Sequence, residues 1–149
     1  MTLKRTDMNL FDLDANIYVN PVNCVGVMGA GLAKAFKDRY PHNFNIYYLT
    51  CQNKLLKPGG VLVTYCCGKT ILNVATKGDW RKPSQIEWIE KGLKNIRKHL
   101  LTCDKMVLAI PLLGCGLGGL NFENQVKPLY KTYLEGIGDN QVVVSFWKR

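Results

Sequence analysis

The strongest constraint on the fold is a short apolar run that ends in a glycine-rich loop. Met106 to Ile110 carries no polar side chain. Such a run, bounded by turn residues, reads as a strand covered on both faces. It passes straight into Pro111-Leu-Leu-Gly-Cys-Gly-Leu-Gly-Gly-Leu120. A second segment has the same form. Ile17 to Val19 is β-prone, and Asn23-Cys-Val-Gly-Val-Met-Gly-Ala-Gly31 leads from it into the helix-forming stretch Leu32 to Arg39, which ends before Pro41. Strands covered on both faces need helices on both faces of their sheet. The expected class is therefore α/β, with a central sheet, mixed or parallel.

The remaining elements fit that class. Val61 to Tyr65 and Thr70 to Ala75 are β-prone runs separated by Gly68, and Gln141 to Phe146 reads as a last strand. Asn43 is placed to cap a helix with Phe44, Tyr47, Tyr48 and Cys51 at helical spacing. Ser84 with Glu87 has the form of a capping box. Behind it, Ile86, Ile89, Leu93, Ile96 and Leu100 form one apolar stripe. Lys91, Lys94, Arg97 and Lys98 lie mainly off that stripe and read as a solvated face. Val126, Leu129, Tyr130, Tyr133 and Leu134 mark a further helix whose regular part is delayed by Pro128. No repeat or linker interrupts the chain, so residues 1–149 are expected to form one domain.

Twenty Lys and Arg against eleven Asp and Glu give a formal charge of +9. That balance favours encounters with polyanions, nucleic acid and phosphorylated ligands among them. The six cysteines include no C-x-x-C pair, and only His42 and His99 could join them, so no zinc pattern is present. Met1 to Phe11 lacks the apolar core of a secretory signal, and no apolar run is long enough to span a bilayer. A cytoplasmic, monomeric protein with reduced, mostly buried thiols and no membrane partner is expected.

The chemistry rests on the two glycine-rich loops. Backbone N–H groups in such loops, with a helix N-terminus behind them, form an anion cradle. Two cradles in one small domain suggest a diphosphate held between them. Neither loop is a P-loop, since no Gly-Lys-Ser/Thr follows, and the spacing Gly26, Gly29, Gly31 is not the dinucleotide fingerprint.

Three stretches together resemble a known family. Asn9-Leu10, followed by Asp14-Ala-Asn-Ile-Tyr-Val-Asn-Pro-Val-Asn23, is similar to the opening strand pattern of the macrodomains. Val25-Gly-Val-Met-Gly-Ala-Gly-Leu-Ala33 resembles their first phosphate loop, and Gly114-Cys-Gly-Leu-Gly-Gly-Leu120 their second. The resemblance covers nearly the whole chain. It implies a three-layer α/β/α macrodomain with a central mixed sheet that binds ADP-ribose, with no metal and no cofactor. Thr76-Lys-Gly-Asp-Trp-Arg-Lys-Pro-Ser84 is similar to the DarG-type branch, which removes ADP-ribose from thymidine bases in DNA, and to the related terminal ADP-ribose protein glycohydrolase.

By that resemblance Lys77 would be catalytic beside the distal ribose, with Asn23 orienting that ribose or a water. By residue type alone Lys77 is a solvated surface lysine. As a nucleophile it would attack the anomeric carbon when neutral; when charged it would stabilise the departing base by electrostatics or by proton donation. ADP-ribose contacts would come from Asn9, Leu10, Asn20, Gly26, Val27, Met28, Gly29, Ala30, Gly31, Thr76, Pro111, Gly114, Cys115, Gly116, Leu117, Gly118, Gly119, Leu120 and Phe146, the last stacking on adenine. Trp80, Arg81 and Lys82 would contact ADP-ribosylated single-stranded DNA. The protein-directed enzyme has a catalytic aspartate where this chain has Gly118, which favours the DNA-directed reading. An ADP-ribose 1''-phosphate phosphatase and a non-catalytic ADP-ribose-binding module are the alternatives.

Overall fold

The computed structural model describes residues 3–147. Six strands form one sheet: β1 (Leu3–Thr6), β2 (Ile17–Asn23), β3 (Val61–Cys66), β4 (Lys69–Lys77), β5 (Val107–Ile110) and β6 (Gln141–Ser145). Their spatial order is β1-β6-β5-β2-β4-β3. All neighbours run parallel except β3, which pairs antiparallel with β4 at one edge. The sheet is therefore mixed. Four helices cover it: α1 (Gly31–Arg39), α2 (Pro41–Gln52), α3 (Ile86–Leu100) and α4 (Lys127–Leu134).

Side-chain alternation along the strands builds the three layers. Ile17 and Val19 of β2, Leu108 and Ile110 of β5, and Val142 and Val144 of β6 point to the α3/α4 side. Tyr18 and Ala109 point the other way, against Phe36 and Tyr40 beside α1, and Val22 meets Tyr47 and Cys51 of α2. The stripe on α3 behaves as its period implies. Ile89, Leu93, Ile96 and Leu100 are fully buried, each contributing roughly 1.5–3 kcal/mol of apolar burial.

Two helix starts differ from the sequence expectation. The second helix begins at Pro41, whose fixed φ and missing N–H suit a first helical position. Asn43 is therefore inside the helix and does not cap it. It is fully buried, where its amide donates to Asn73 Oδ1 and its Oδ1 accepts from Thr64 and Asn73. Ser84 and Glu87 form no capping box either. Helix α3 starts at Ile86 with no side-chain cap, and the Ser84 N–H instead donates to the Gly118 carbonyl at 3.0 Å. Ser84 thus stands one residue ahead of the Gln85 cap position, docked on the second glycine loop. Strand β1 has no counterpart in the sequence reading. Its Lys4 and Arg5 are exposed, as suits an edge strand.

Pro128 lies in the first turn of α4, and a π-helical turn at Phe122–Val126 precedes it. Cys51 and Cys66 are buried, Cys24, Cys103 and Cys115 are half-buried, Cys67 is exposed, and all six thiols are unpaired. Among the described residues, no helix is long and apolar enough to cross a membrane.

Candidate functional site

The chain leaves β2 toward α1 on one face of the sheet, and leaves β5 toward α4 on the other. Because β2 and β5 are neighbours, a crevice opens at their carboxyl ends, the usual ligand position in such sheets. A cavity of about 740 Å³ occupies it, a volume suited to a nucleotide-sized ligand.

One wall is the first glycine loop and the start of α1, with Val27, Gly29, Ala30, Gly31, Leu32 and Ala33 facing the cavity. Helix α1 has no side-chain cap and no acidic residue in its first turn. Its leading N–H groups thus retain donor capacity and a partial positive charge, which suit an anion. The opposite wall is the second loop, with Pro111, Leu112, Gly114, Cys115, Gly116, Leu117 and Gly118. Buried Tyr130 anchors its root, donating to the Pro111 carbonyl and accepting from the Leu113 N–H. Gly114 has φ +74°, and a Cβ there would meet Leu120 and Ile89 at about 3 Å, so no other residue fits without strain.

Asn23 and Lys77 are register partners at the ends of β2 and β4, just past a bulge at Val22/Asn23. Both line the cavity. Asn23 is a loop clamp: its Oδ1 accepts from the Val25 and Val27 N–H groups and from Tyr47 Oη at 2.8 Å, while its amide donates to the Val27 carbonyl at 2.7 Å. One amide hydrogen remains for a ligand. Lys77 is half-buried, and its Nζ donates to the Trp80 carbonyl at 3.4 Å. No carboxylate pairs with it among the described residues, and no Asp or Glu is among the described lining residues.

The thiols beside the site are poor nucleophiles. Burial pushes Cys115 up to about 11 and, with Cys51 nearby, Cys24 up to about 11. Both are protonated at neutral pH. Cys115 Sγ donates to the Leu113 carbonyl. Among the described residues no cluster suited to a metal ion is present.

The cleft brings together Leu10, Asn23, Val27, Gly29, Ala30, Gly31, Thr76, Lys77, Trp80, Pro111, Gly114, Cys115, Gly116, Leu117 and Gly118 of the expected residues. Gly26, Met28, Gly119 and Leu120 do not line it. Asn20 is fully buried under the sheet, donating to Asn73 Oδ1 and to the Met28 sulfur. Asn9 caps a short 3-10 turn at Leu10–Asp12 by accepting from the Phe11 N–H. Phe146 follows Val142 and Val144 onto the α4 side, edge-on to Phe122 and under the Arg5 guanidinium. The aromatic ring at that end of the cleft is Trp147, which sequence reasoning missed, with Ser145 and Leu10 beside it. Strand alternation, carried one residue past Phe146, would have found it.

On the outer side, Trp80 lines the cleft and is half exposed. Arg81 forms a two-pronged pair with Asp79, whose carboxyl it holds well below the usual carboxylate range. Lys82 lies outside the cavity lining.

Comparison with known proteins agrees with this arrangement. A curated DNA ADP-ribosyl glycohydrolase of Thermus aquaticus is 36% identical over 141 residues, 91% of this chain and 39% of that protein. The chain thus spans about two fifths of that relative's length. The solved macrodomain of Mycobacterium tuberculosis DarG superposes with a TM-score of 0.89 at 32% identity, covering 97% of this chain and 98% of that one. Thermosipho africanus DarTG, solved in complex with ADP-ribose, superposes at 0.85 with 30% identity, over 99% of this chain and 42% of that one. The Macro domain family model matches residues 19–128, from β2 through both glycine loops to the start of α4. With the two loops walling one crevice at the strand ends, the chain belongs to the Macro domain family.

Proposed function

We propose that this chain is a glycohydrolase that removes ADP-ribose from modified thymidine bases in DNA. The observation that carries the reading is the placement of Lys77 beside Asn23 in a cleft walled by two glycine-rich loops suited to an anion. The cradles hold the diphosphate, with adenine toward Trp147 and Leu10 and the distal ribose toward Lys77. The half-exposed Trp80 and the exposed Leu117 form an apolar rim where the modified base and its strand leave the cleft. The relatives named for this activity support the assignment, as does the +9 charge. Work on nucleic acid in the cytoplasm as a monomer is part of the same reading.

In the reaction, the bond between the distal ribose C1'' and the base nitrogen breaks, and its electron pair stays on the base. The Lys77 ammonium donates a proton to that nitrogen as charge develops there. A water oxygen bonds to C1'', and its proton returns to the Lys77 amine. The products are ADP-ribose and the restored base. Asn23 keeps the first loop closed around the sugar.

The test is release of ADP-ribose from a single-stranded oligonucleotide carrying ADP-ribosyl-thymidine. The native chain should release it. Lys77→Ala should bind ADP-ribose normally while turning over at least about a hundredfold more slowly. Equal rates would remove Lys77 from the mechanism. No release by either would overturn the reading, and phosphate release from ADP-ribose 1''-phosphate would then identify a phosphatase.

A further inference from the structure

The side chain that the mechanism does not use is Ser84. It lies between the Lys77–Trp80 segment and α3, lines the cavity, and is 6% exposed. Its hydroxyl oxygen is buried without a hydrogen-bond partner. Buried hydroxyls are rarely left this way, and each orphan calls for an explanation. The other orphaned side-chain atom among the described residues, Asn20 Oδ1, lies outside the cavity lining, and three other polar residues of the cleft are satisfied. Asn23, Cys115 and Ser145 all make hydrogen bonds to the protein.

Gly118 explains why the hydroxyl sits where it does. A Cβ at Gly118 would lie 2.5 Å from Ser84 Oγ and 2.5 Å from the Gly114 carbonyl oxygen. The Ser84 N–H to Gly118 carbonyl bond holds the two segments in that close approach. The second loop therefore cannot present a side chain here, and the hydroxyl of Ser84 is the polar group available at this point of the floor.

We propose that Ser84 Oγ is a substrate-contacting group that hydrogen-bonds a hydroxyl of the distal ribose, turning toward the cavity when the ligand arrives. The proposal rests on the reading that the cleft takes ADP-ribose. The choice of the sugar follows from burial. The modified base belongs to a polymer and must leave past the exposed rim at Trp80 and Leu117. The ribose is the part of the ligand that reaches the floor, and its hydroxyls need partners once they leave water.

The experiment compares ADP-ribose with ADP, which lacks the distal ribose, by calorimetric titration of the native chain and Ser84→Ala. Thermal melts without ligand accompany it. Ser84→Ala should bind ADP-ribose about fivefold to tenfold more weakly, bind ADP as the native chain does, and melt no lower. Removing a hydroxyl that has no partner breaks no bond in the free protein. Unchanged ADP-ribose affinity would overturn the proposal. So would an equal loss for both ligands, or a lower melting temperature, since each marks a structural role. A native chain that binds neither ligand overturns both this proposal and the ADP-ribose reading beneath it. A native chain that follows the expected pattern but releases nothing from modified DNA upholds Ser84 and overturns the glycohydrolase reading alone.

Discussion

Replacing Gly118 with alanine adds one methyl group at the tightest point of the cleft. The new Cβ would stand 2.5 Å from both the Gly114 carbonyl oxygen and Ser84 Oγ, and 2.9 Å from the Gly114 carbonyl carbon. Ordinary contact requires the gap to open by roughly 0.5–0.9 Å. Gly114 cannot yield easily, because its carbonyl accepts from the Leu120 N–H at 2.9 Å and Tyr130 pins the loop root. The motion falls on Gly118 itself, and its 3.0 Å bond from the Ser84 N–H is lost. Overpacking of this kind costs about 1–3 kcal/mol, and the lost hydrogen bond about 1 kcal/mol more. For a chain of this size the melting temperature should fall by about 5–15 °C. The displaced segment is one wall of the proposed ADP-ribose site, so ADP-ribose should bind at least about tenfold more weakly. Circular dichroism melts and calorimetry measure both. A melting temperature within about 2 °C of native, with unchanged ADP-ribose affinity, would refute the close approach. Gly118→Asp, which carries the same Cβ, should fare no better, so position 118 does not accept a carboxylate by a single substitution.

Tyr47→Phe removes the hydroxyl that donates to both Asn23 oxygens at 2.8 Å in a fully buried site. Stability should fall by about 1–2 kcal/mol, read as a lower urea midpoint. In the proposed reaction Asn23 holds the loop around the distal ribose, so turnover should suffer more than ADP binding; equal effects on both would contradict that role. The alkaline limb of stability is a separate expectation. Cys24 and Cys115 are raised from 9.0 to about 11 by burial. Between those values the unfolded chain has lost protons that the folded chain still holds. The stability is present in full below pH 9 and drains away as pH rises toward 11. Urea midpoints that stay flat across pH 9–11 would show that these thiols titrate alike in both states.

Much of the fold was legible because it depends on local period and local backbone chemistry. The stripe on α3, the apolar run of β5 and the glycine-rich loops each announce themselves within about fifteen residues, the span over which periodicity is defined. The sequence also singles out Lys77 and Asn23, which line the cleft, though only the resemblance of the flanking motifs raises them above a surface lysine and a turn residue. Residue type and spacing carry no statement of which strand ends become neighbours.

What tertiary structure alone decided follows from contacts between distant residues. Strand β1 is polar and short, and it exists because β6 offers a parallel edge about 140 residues away in sequence. Asn20 and Asn43 look like ligand and cap residues, yet both serve a buried polar network that meets at Asn73. Ser84 has the sequence form of a cap, but Gly118 draws its backbone away, and that docking leaves its hydroxyl without a partner. The aromatic at the end of β6 turned on a single step. Side chains alternate faces, so Phe146 goes to the core against Phe122 and Trp147 to the cleft. Local pattern was enough for an α/β chain with two glycine-rich loops, each following a strand. Strand order and register, set only on packing, bring the loops to face each other across one crevice with Asn23 and Lys77 side by side in it.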